Sequence, residues 1–263
     1  MDTSFVTDAN RERYASRKEK LGNLFPSETH FLGEFLPQCE SVLDIACASG
    51  AISRVMKEIN PVLDYTGIDV DEGAIKYGLQ RYDDVKLLCG SFPEDCADAN
   101  AYDGASMFSY FQHILDWKKA LMSMSYVAKR YIFVTLSLRL EGATIADRDL
   151  SYFYYLDSNV RIPFVVQNLK EIVNFCCTEQ VNAQKISIYG YPMTKPSTVY
   201  YPIPYREVYK AGLLVELLPE GAAPQKIGGV SAGELDVEAS FRPEVSIVLN
   251  ERKYSFEEDN YID

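Results

Sequence analysis

From residue 41 to about residue 140 the chain alternates short apolar runs of strand length with stretches whose apolar residues recur at helical spacing. This alternation is the sequence form of βαβ units on a parallel sheet. Strands are expected at 41–46, 63–70, 85–89, 102–108 and 131–138. Between the first two, Ile52, Val55, Met56 and Ile59 stand at i, i+3, i+4 and i+7, and Asn60-Pro61 stops the helix they define. Asp71 and Asp116 stand where N-caps belong. Each precedes a helical face, one of Ile75, Leu79 and Tyr82, the other of Trp117, Ala120, Leu121, Met124 and Val127.

Beyond residue 140 the rhythm breaks. Residues 141–166 hold the cluster Tyr152-Phe153-Tyr154-Tyr155 and an Arg161-Ile162-Pro163 step that resists a helix. Asn168 can cap a helix to about Cys177, and 186–189 and 207–217 read as two strands. Their connection is too short for a crossover helix, which makes them an antiparallel pair. The tail from Glu220 has 10 acids, 4 bases and one further strand at 245–249. The chain reads as one α/β domain with three parts: a helical cap at 1–40, a body at 41–218, and an acidic extension with one strand at 219–263.

Charge and composition narrow the partners. The 263 residues include 38 acidic and 26 basic ones, a net charge of -12 without any basic run, so nucleic acid is an unlikely partner. The apolar stretches fall short of the roughly 20 residues of a bilayer span, and the first residues have no signal-peptide plan. The expectation is a cytoplasmic protein with no membrane partner. Six cysteines without a C-x-x-C pair and two histidines give no metal site, and the cysteines read as small buried hydrophobes.

In an open parallel sheet, ligands bind at the C-terminal ends of the strands. The first βα turn reads Val42-Leu43-Asp44-Ile45-Ala46-Cys47-Ala48-Ser49-Gly50, a carboxylate followed by small residues at every second place. A carboxylate is wrong for cradling a pyrophosphate and suits a cationic group. Asp69 ends the second strand, where an acceptor-only side chain can hold a ribose diol. Together the two positions describe a nucleoside with a cationic, amino-acid-like arm. A dinucleotide turn would need G-x-G-x-x-G, which is not present.

These residues resemble the class I S-adenosylmethionine-dependent methyltransferases of small-molecule type. The first motif matches at 42–50, the ribose acid at Asp69 in Gly67-Ile68-Asp69-Val70, and the adenine turn at Gly90-Ser91-Phe92. The fourth-strand segment matches from Tyr102-Asp103-Gly104-Ala105 through Phe108 and Tyr110 to His113. The resemblance implies a Rossmann-like, doubly wound, mostly parallel seven-stranded sheet with an antiparallel strand pair at one end and helices on both faces. It implies S-adenosylmethionine as cofactor and S-adenosylhomocysteine as product. Asp44, Ala46, Ala48 and Gly50 would hold the methionine end, Asp69 and Val70 the ribose, Ser91 and Phe92 the adenine, with Phe108 beside them. The family's first two glycines are Ala46 and Ala48 here. With their backbone at negative φ, the expectation is a slightly reshaped, working pocket.

By the same resemblance, Tyr14 and Arg17 close over the cofactor carboxylate, or belong to an exposed amphipathic helix. Residues 141–166 form a substrate lid, and Tyr152, Tyr154, Tyr155 and Tyr191 line the substrate or pack across strands. His113, with Tyr110 beside it, stands where the methyl group is delivered. His113 either takes a proton from the acceptor or packs beside Trp117. The function implied is methyl transfer to an oxygen or nitrogen of a small polar organic molecule. A cofactor-binding scaffold without turnover and a protein or RNA methyltransferase are the alternatives, and a second copy of the chain is left open as a partner.

Overall fold

Val42, Leu43, Ile45, Ile132, Phe133 and Val134 lie wholly inside because their strands are covered on both faces, as a parallel sheet requires. The computed structural model describes residues 18–92, 98–155, 159–194, 199–219, 243–256 and 261–262. A first helix, α1 (Pro26–Phe35), precedes β1 (Ser41–Ile45), α2 (Ser53–Ile59), β2 (Asp64–Asp69), α3 (Glu72–Arg81) and β3 (Lys86–Cys89). Then follow β4 (Tyr102–Met107), α4 (Trp117–Val127) and a long β5 (Ala128–Arg139). The expected caps form: Asp71 accepts from the Gly73 N–H at 3.0 Å, and Asp116 from the Lys119 N–H at 3.2 Å.

The second half contributes β6 (Tyr152–Tyr155), β7 (Val160–Pro163), β8 (Gln167–Asn168), α5 (Leu169–Cys176), β9 (Ala183–Pro192), β10 (Val199–Tyr200) and β11 (Tyr209–Leu217). Asn168 caps α5, accepting from the Glu171 N–H at 2.9 Å. The tail adds β12 (Glu244–Leu249), β13 (Arg252–Phe256) and β14 (Tyr261–Ile262).

The main sheet runs β14-β13-β12-β9-β11-β5-β4-β1-β2-β3, with β8 paired to β5. Strand order reverses between β1 and β4, so the C-terminal end of β1 is the switch point where such sheets bind ligands. Phe31, Phe35, Val55, Met56 and Ile75 of α1, α2 and α3 pack on one face, and Trp117, Leu121, Leu169 and Ile172 of α4 and α5 on the other. Two expectations are corrected. The sheet path has ten strands rather than seven, because the tail supplies three strands where the sequence suggested one. The antiparallel pair β9 and β11 is therefore internal, with β12 running parallel to β9 on its far side. Cys89 is also exposed, not buried as its apolar run implied.

The lid segment is a second, three-stranded sheet, β10-β6-β7. Pro163 ends β7, which explains why the Arg161-Ile162-Pro163 step resists a helix. This small sheet has a core of its own, built on Phe164, Val166, Val199 and Val208 with Phe153 and Tyr201. No helix among the described residues is long and apolar enough to cross a membrane.

Candidate functional site

Three alternate residues of the turn after β1 adopt left-handed backbone: Ala46 at φ 57°, Ala48 at φ 51° and Gly50 at φ 71°. The expectation of negative φ at the alanines is thus overturned. The turn keeps the path that glycines would give it, with two Cβ atoms held in strain, each at a cost of roughly 1–2 kcal/mol. Replacing Ala46 or Ala48 by Gly relieves that strain and returns part of it as unfolded-chain entropy. Each variant is expected to be more stable by roughly 0.5–1 kcal/mol, read as a raised urea midpoint.

Asp44, near the end of β1, is buried. The Tyr65 hydroxyl donates to its Oδ2 at 2.7 Å and the Ser106 hydroxyl to its Oδ1 at 3.3 Å. Tyr65 stands on β2 and Ser106 on β4, so the two neighbouring strands hold the carboxyl from both sides. Burial pushes Asp44 up to about 7, against the pull of the Tyr65 hydrogen bond and the charge of Lys18; Asp69 adds to the rise. Its hydrogen-bond partners are hydroxyls, so the ionised form gains from any cation brought to this turn.

Asp69 ends β2. Its Oδ2 accepts from the Ala48 N–H at 2.8 Å and its Oδ1 from the Asp71 N–H at 2.9 Å, which fixes the carboxylate across the turn. Burial raises its pKa, while those backbone bonds oppose the rise. Val70 and Ser91 are half-buried at the rim, and Phe92 is buried against the core. Phe108, after β4, packs its ring 5.2 Å from Phe133. The structure thus gathers Asp44, Ala46, Ala48, Gly50, Asp69 and Val70 around one turn.

His113 closes a short 3-10 turn, Phe111–His113. Its Nδ1–H donates to the Pro163 carbonyl at 2.7 Å, since a carbonyl oxygen only accepts. Nε2 then carries the lone pair, 3.5 Å from the Gln112 amide nitrogen. Its ring meets Tyr110, Phe153 and Phe164 at 5.9, 6.3 and 6.1 Å. Phe153 and Phe164 belong to the lid segment, and Trp117 meets Phe175 at 5.4 Å. Burial pushes the imidazole down to about 4, helped by the charge of Lys210 and opposed by the Pro163 bond. His113 is therefore neutral at pH 7.

The tyrosines divide. Tyr152 stacks on Tyr200 at 5.0 Å under the Arg161 guanidinium, and the Tyr154 hydroxyl bonds Asn159 within the same hairpin. Strand alternation puts both on the face opposite Phe153, so Phe153 is the hairpin residue that reaches His113. Tyr191 lies elsewhere, on β9 in the main sheet. Tyr14, Arg17 and the Tyr155 side chain lie outside the described residues. Sequence reasoning missed Lys18, which pairs with the buried Glu28 and lies 5.0 Å from the Phe108 ring centre. It also missed Tyr65 and Ser106, whose only signal was a polar group at an inward strand position. No group of three His, Cys, Asp or Glu side chains among the described residues could hold a metal.

Comparison with known proteins bears on the fold. Residues 43–130 match the family model of a methyltransferase domain. No curated protein matches the sequence. An S-adenosylmethionine-dependent methyltransferase of Methanosarcina mazei is similar in structure, with a TM-score of 0.53 at 13% identity over 75% of this chain and 99% of that one. A Burkholderia thailandensis 1,6-didemethyltoxoflavin-N1-methyltransferase, solved with 1,6-didemethyltoxoflavin and S-adenosylhomocysteine, also gives 0.53 at 13% identity over 80% and 82%. Human N-acetylserotonin methyltransferase, solved with its cofactor, gives 0.52 at 13% identity over 80% of this chain and 56% of that one. The chain has the fold of the class I S-adenosylmethionine-dependent methyltransferases. Its residues 43–130, which carry Asp44 and Asp69, are matched as the methyltransferase domain itself.

Proposed function

We propose that the chain transfers a methyl group from S-adenosylmethionine to an oxygen or nitrogen of a small polar organic molecule of sugar or natural-product type. One observation carries this reading: two carboxyl groups, the buried Asp44 and the half-buried Asp69, flank a left-handed turn at the switch point of the sheet. The residues fit the cofactor. Asp44 suits its ammonium group, and Asp69 suits the ribose hydroxyls with the lone pairs its two backbone donors leave over. Ser91 and Phe92 flank the adenine.

The bound cofactor supplies a methyl group already activated by its sulfonium. What remains for the chain is alignment, exclusion of water and handling of the proton. The segment around Phe25 and α1 covers one side of the strand ends, and the β6–β7 hairpin the other. His113 offers Nε2 as the acceptor for an O–H or N–H of the substrate, in a tautomer fixed by Pro163. An imidazole with so low a pKa orients the proton more than it stores it.

Titration calorimetry tests the reading. Heat of binding is expected from S-adenosylmethionine and from S-adenosylhomocysteine, and the absence of heat from both would overturn it. His113→Ala is expected to lower kcat by at least about tenfold with cofactor affinity unchanged. No ionisation of His113 should show in the rate between about pH 5 and pH 8. Unchanged turnover in that variant would reduce His113 to a packing residue.

A further inference from the structure

On the side away from β11, β5 has two successive partners. β4 pairs with it as far as Met107, opposite Val134, and β8 takes over at Gln167, opposite Leu138. Residues 135–137 of β5 fall between the two and have neither strand beside them. At that gap the chain leaves the sheet after β4 and makes the turn that ends in His113.

The turn is fastened at both ends. At its far end the Val165 N–H donates to the Gln112 carbonyl at 2.6 Å, and the His113 Nδ1–H to the Pro163 carbonyl at 2.7 Å. At its near end the Ser109 N–H donates to Thr135 Oγ1 at 2.6 Å. Ser109 is left-handed there, at φ 58°. Residues that visit this region do so most readily when a polar side chain bonds locally, yet the Ser109 hydroxyl is buried without a hydrogen bond. Its backbone bond to Thr135 is therefore what holds it. Thr135 is 0% exposed, so the bond lies away from water, where loss of the hydroxyl leaves a donor unsatisfied. From Ser109 the connection runs on through Gln112. The Gln112 amide nitrogen lies 3.5 Å from the Ser109 carbonyl oxygen and 3.5 Å from His113 Nε2.

We infer that Thr135 is a positioning residue for His113: its hydroxyl fixes the left-handed backbone of Ser109 and thereby aims the 109–113 turn and the imidazole at its end. The inference rests on the methyltransferase reading, in which His113 meets the acceptor's proton. A side chain does here what the strand pairing does lower on β5, because the ladder with β4 stops at Met107 and the first residue beyond the gap belongs to β8. Thr135→Val keeps the branched shape and removes the acceptor. Ser109 is then left both strained and unpaired, and the turn is free to take other arrangements.

The test reads His113 itself. The chain has two histidines, His30 and His113, so protein labelled with 15N-histidine gives two sets of imidazole signals, which the exposed-site variant His30→Gln assigns. In the wild type His113 is expected as a single Nδ1–H tautomer that does not titrate between about pH 5 and pH 8. In Thr135→Val its signals should broaden or split, and its Nδ1–H should exchange with water at least about tenfold faster. The His30 signals and the calorimetric affinity for S-adenosylhomocysteine should stay as they were. Glycine takes left-handed φ freely, so adding Ser109→Gly to Thr135→Val should recover the wild-type signals, and so should Thr135→Ser, which keeps the hydroxyl. Unchanged His113 signals in Thr135→Val would overturn the inference. So would an equal disturbance of His30 and of cofactor affinity, which would make Thr135 a general packing residue. Where Thr135→Val does not fold, the Ser109 amide of the wild type decides: it should be protected from hydrogen exchange by at least about a hundredfold, and exchange at the rate of an open turn would overturn the inference. If His113 responds as expected in a protein that binds neither form of the cofactor, the methyltransferase reading falls and the tie from Thr135 to His113 stands.

Discussion

Asp44→Asn is expected to make the protein more stable at pH 8 and at the same time to cost it most of its affinity for S-adenosylmethionine. Folding at pH 8 has to bury an ionised carboxylate whose hydrogen-bond partners are the hydroxyls of Tyr65 and Ser106. Asparagine keeps an oxygen for Tyr65 and gives an amide proton to Ser106, without the charge. A carboxyl raised from 3.8 to about 7 on folding opposes folding at high pH by roughly 4 kcal/mol, a ceiling. The sign follows from which state holds the proton more tightly. The folded carboxyl does, so the wild type gains stability as pH falls from about 7 toward 4. The advantage of the Asn variant is therefore widest above pH 7 and fades below about pH 5. Urea titrations of both proteins at pH 5, 6.5 and 8 read this directly. Binding runs the other way. The cofactor ammonium favours the ionised carboxylate, so wild-type affinity should rise with pH up to about 7 and level off, and the Asn variant should bind roughly 10- to 100-fold more weakly at pH 8. Equal affinity of the two proteins at pH 8 would remove Asp44 from the cofactor site.

The same residue shows how much the sequence carried. Asp44, Asp69 and the N-caps Asp71, Asp116 and Asn168 were legible because each is defined by near neighbours: a carboxylate at a strand end, a short polar residue ahead of a helical face. The backbone of Ala46 and Ala48 was not. Alanine normally avoids left-handed φ, and only the surrounding turn, pinned by Gly50 and by the Ala48 N–H on Asp69, forces it there. That Ser137 of β5, Lys210 of β11 and Tyr191 of β9 stand side by side was invisible for another reason. Those positions are distant in sequence and meet through the register of three strands, which periodicity does not specify. In the lid, the tyrosines drew the eye, but alternation along β6 gave the contact with His113 to Phe153. The tail strands β13 and β14 were missed because their residues mix charge and aromatics with no apolar run.

Gly78→Ala is expected to destabilise the protein, against the usual preference of a helix for alanine. Gly78 lies inside α3, where replacing glycine by alanine ordinarily gains about 1 kcal/mol. Here a Cβ would lie 2.2 Å from the Ser49 carbonyl oxygen, 2.9 Å from its carbon and 2.6 Å from Leu87 Cδ1. The leucine can yield, but the carbonyl is backbone of the turn after β1, fixed between Ala48 and Gly50. Either α3 moves off the sheet or the turn moves into the site, and overpacking of this kind costs roughly 1–3 kcal/mol or more. Gly33 in α1 supplies the control, because a Cβ there meets nothing within 4 Å, so Gly33→Ala should stabilise by up to about 1 kcal/mol. Opposite shifts of the urea midpoint in the two variants are the expected result. Because Ser49 stands next to the residue whose N–H holds Asp69, the Gly78 variant should also lose cofactor affinity, while the Gly33 variant should not. A Gly78→Ala protein as stable as Gly33→Ala would mean that α3 does not bear on the turn, and the rigidity that holds Asp44 and Asp69 in place would need another source.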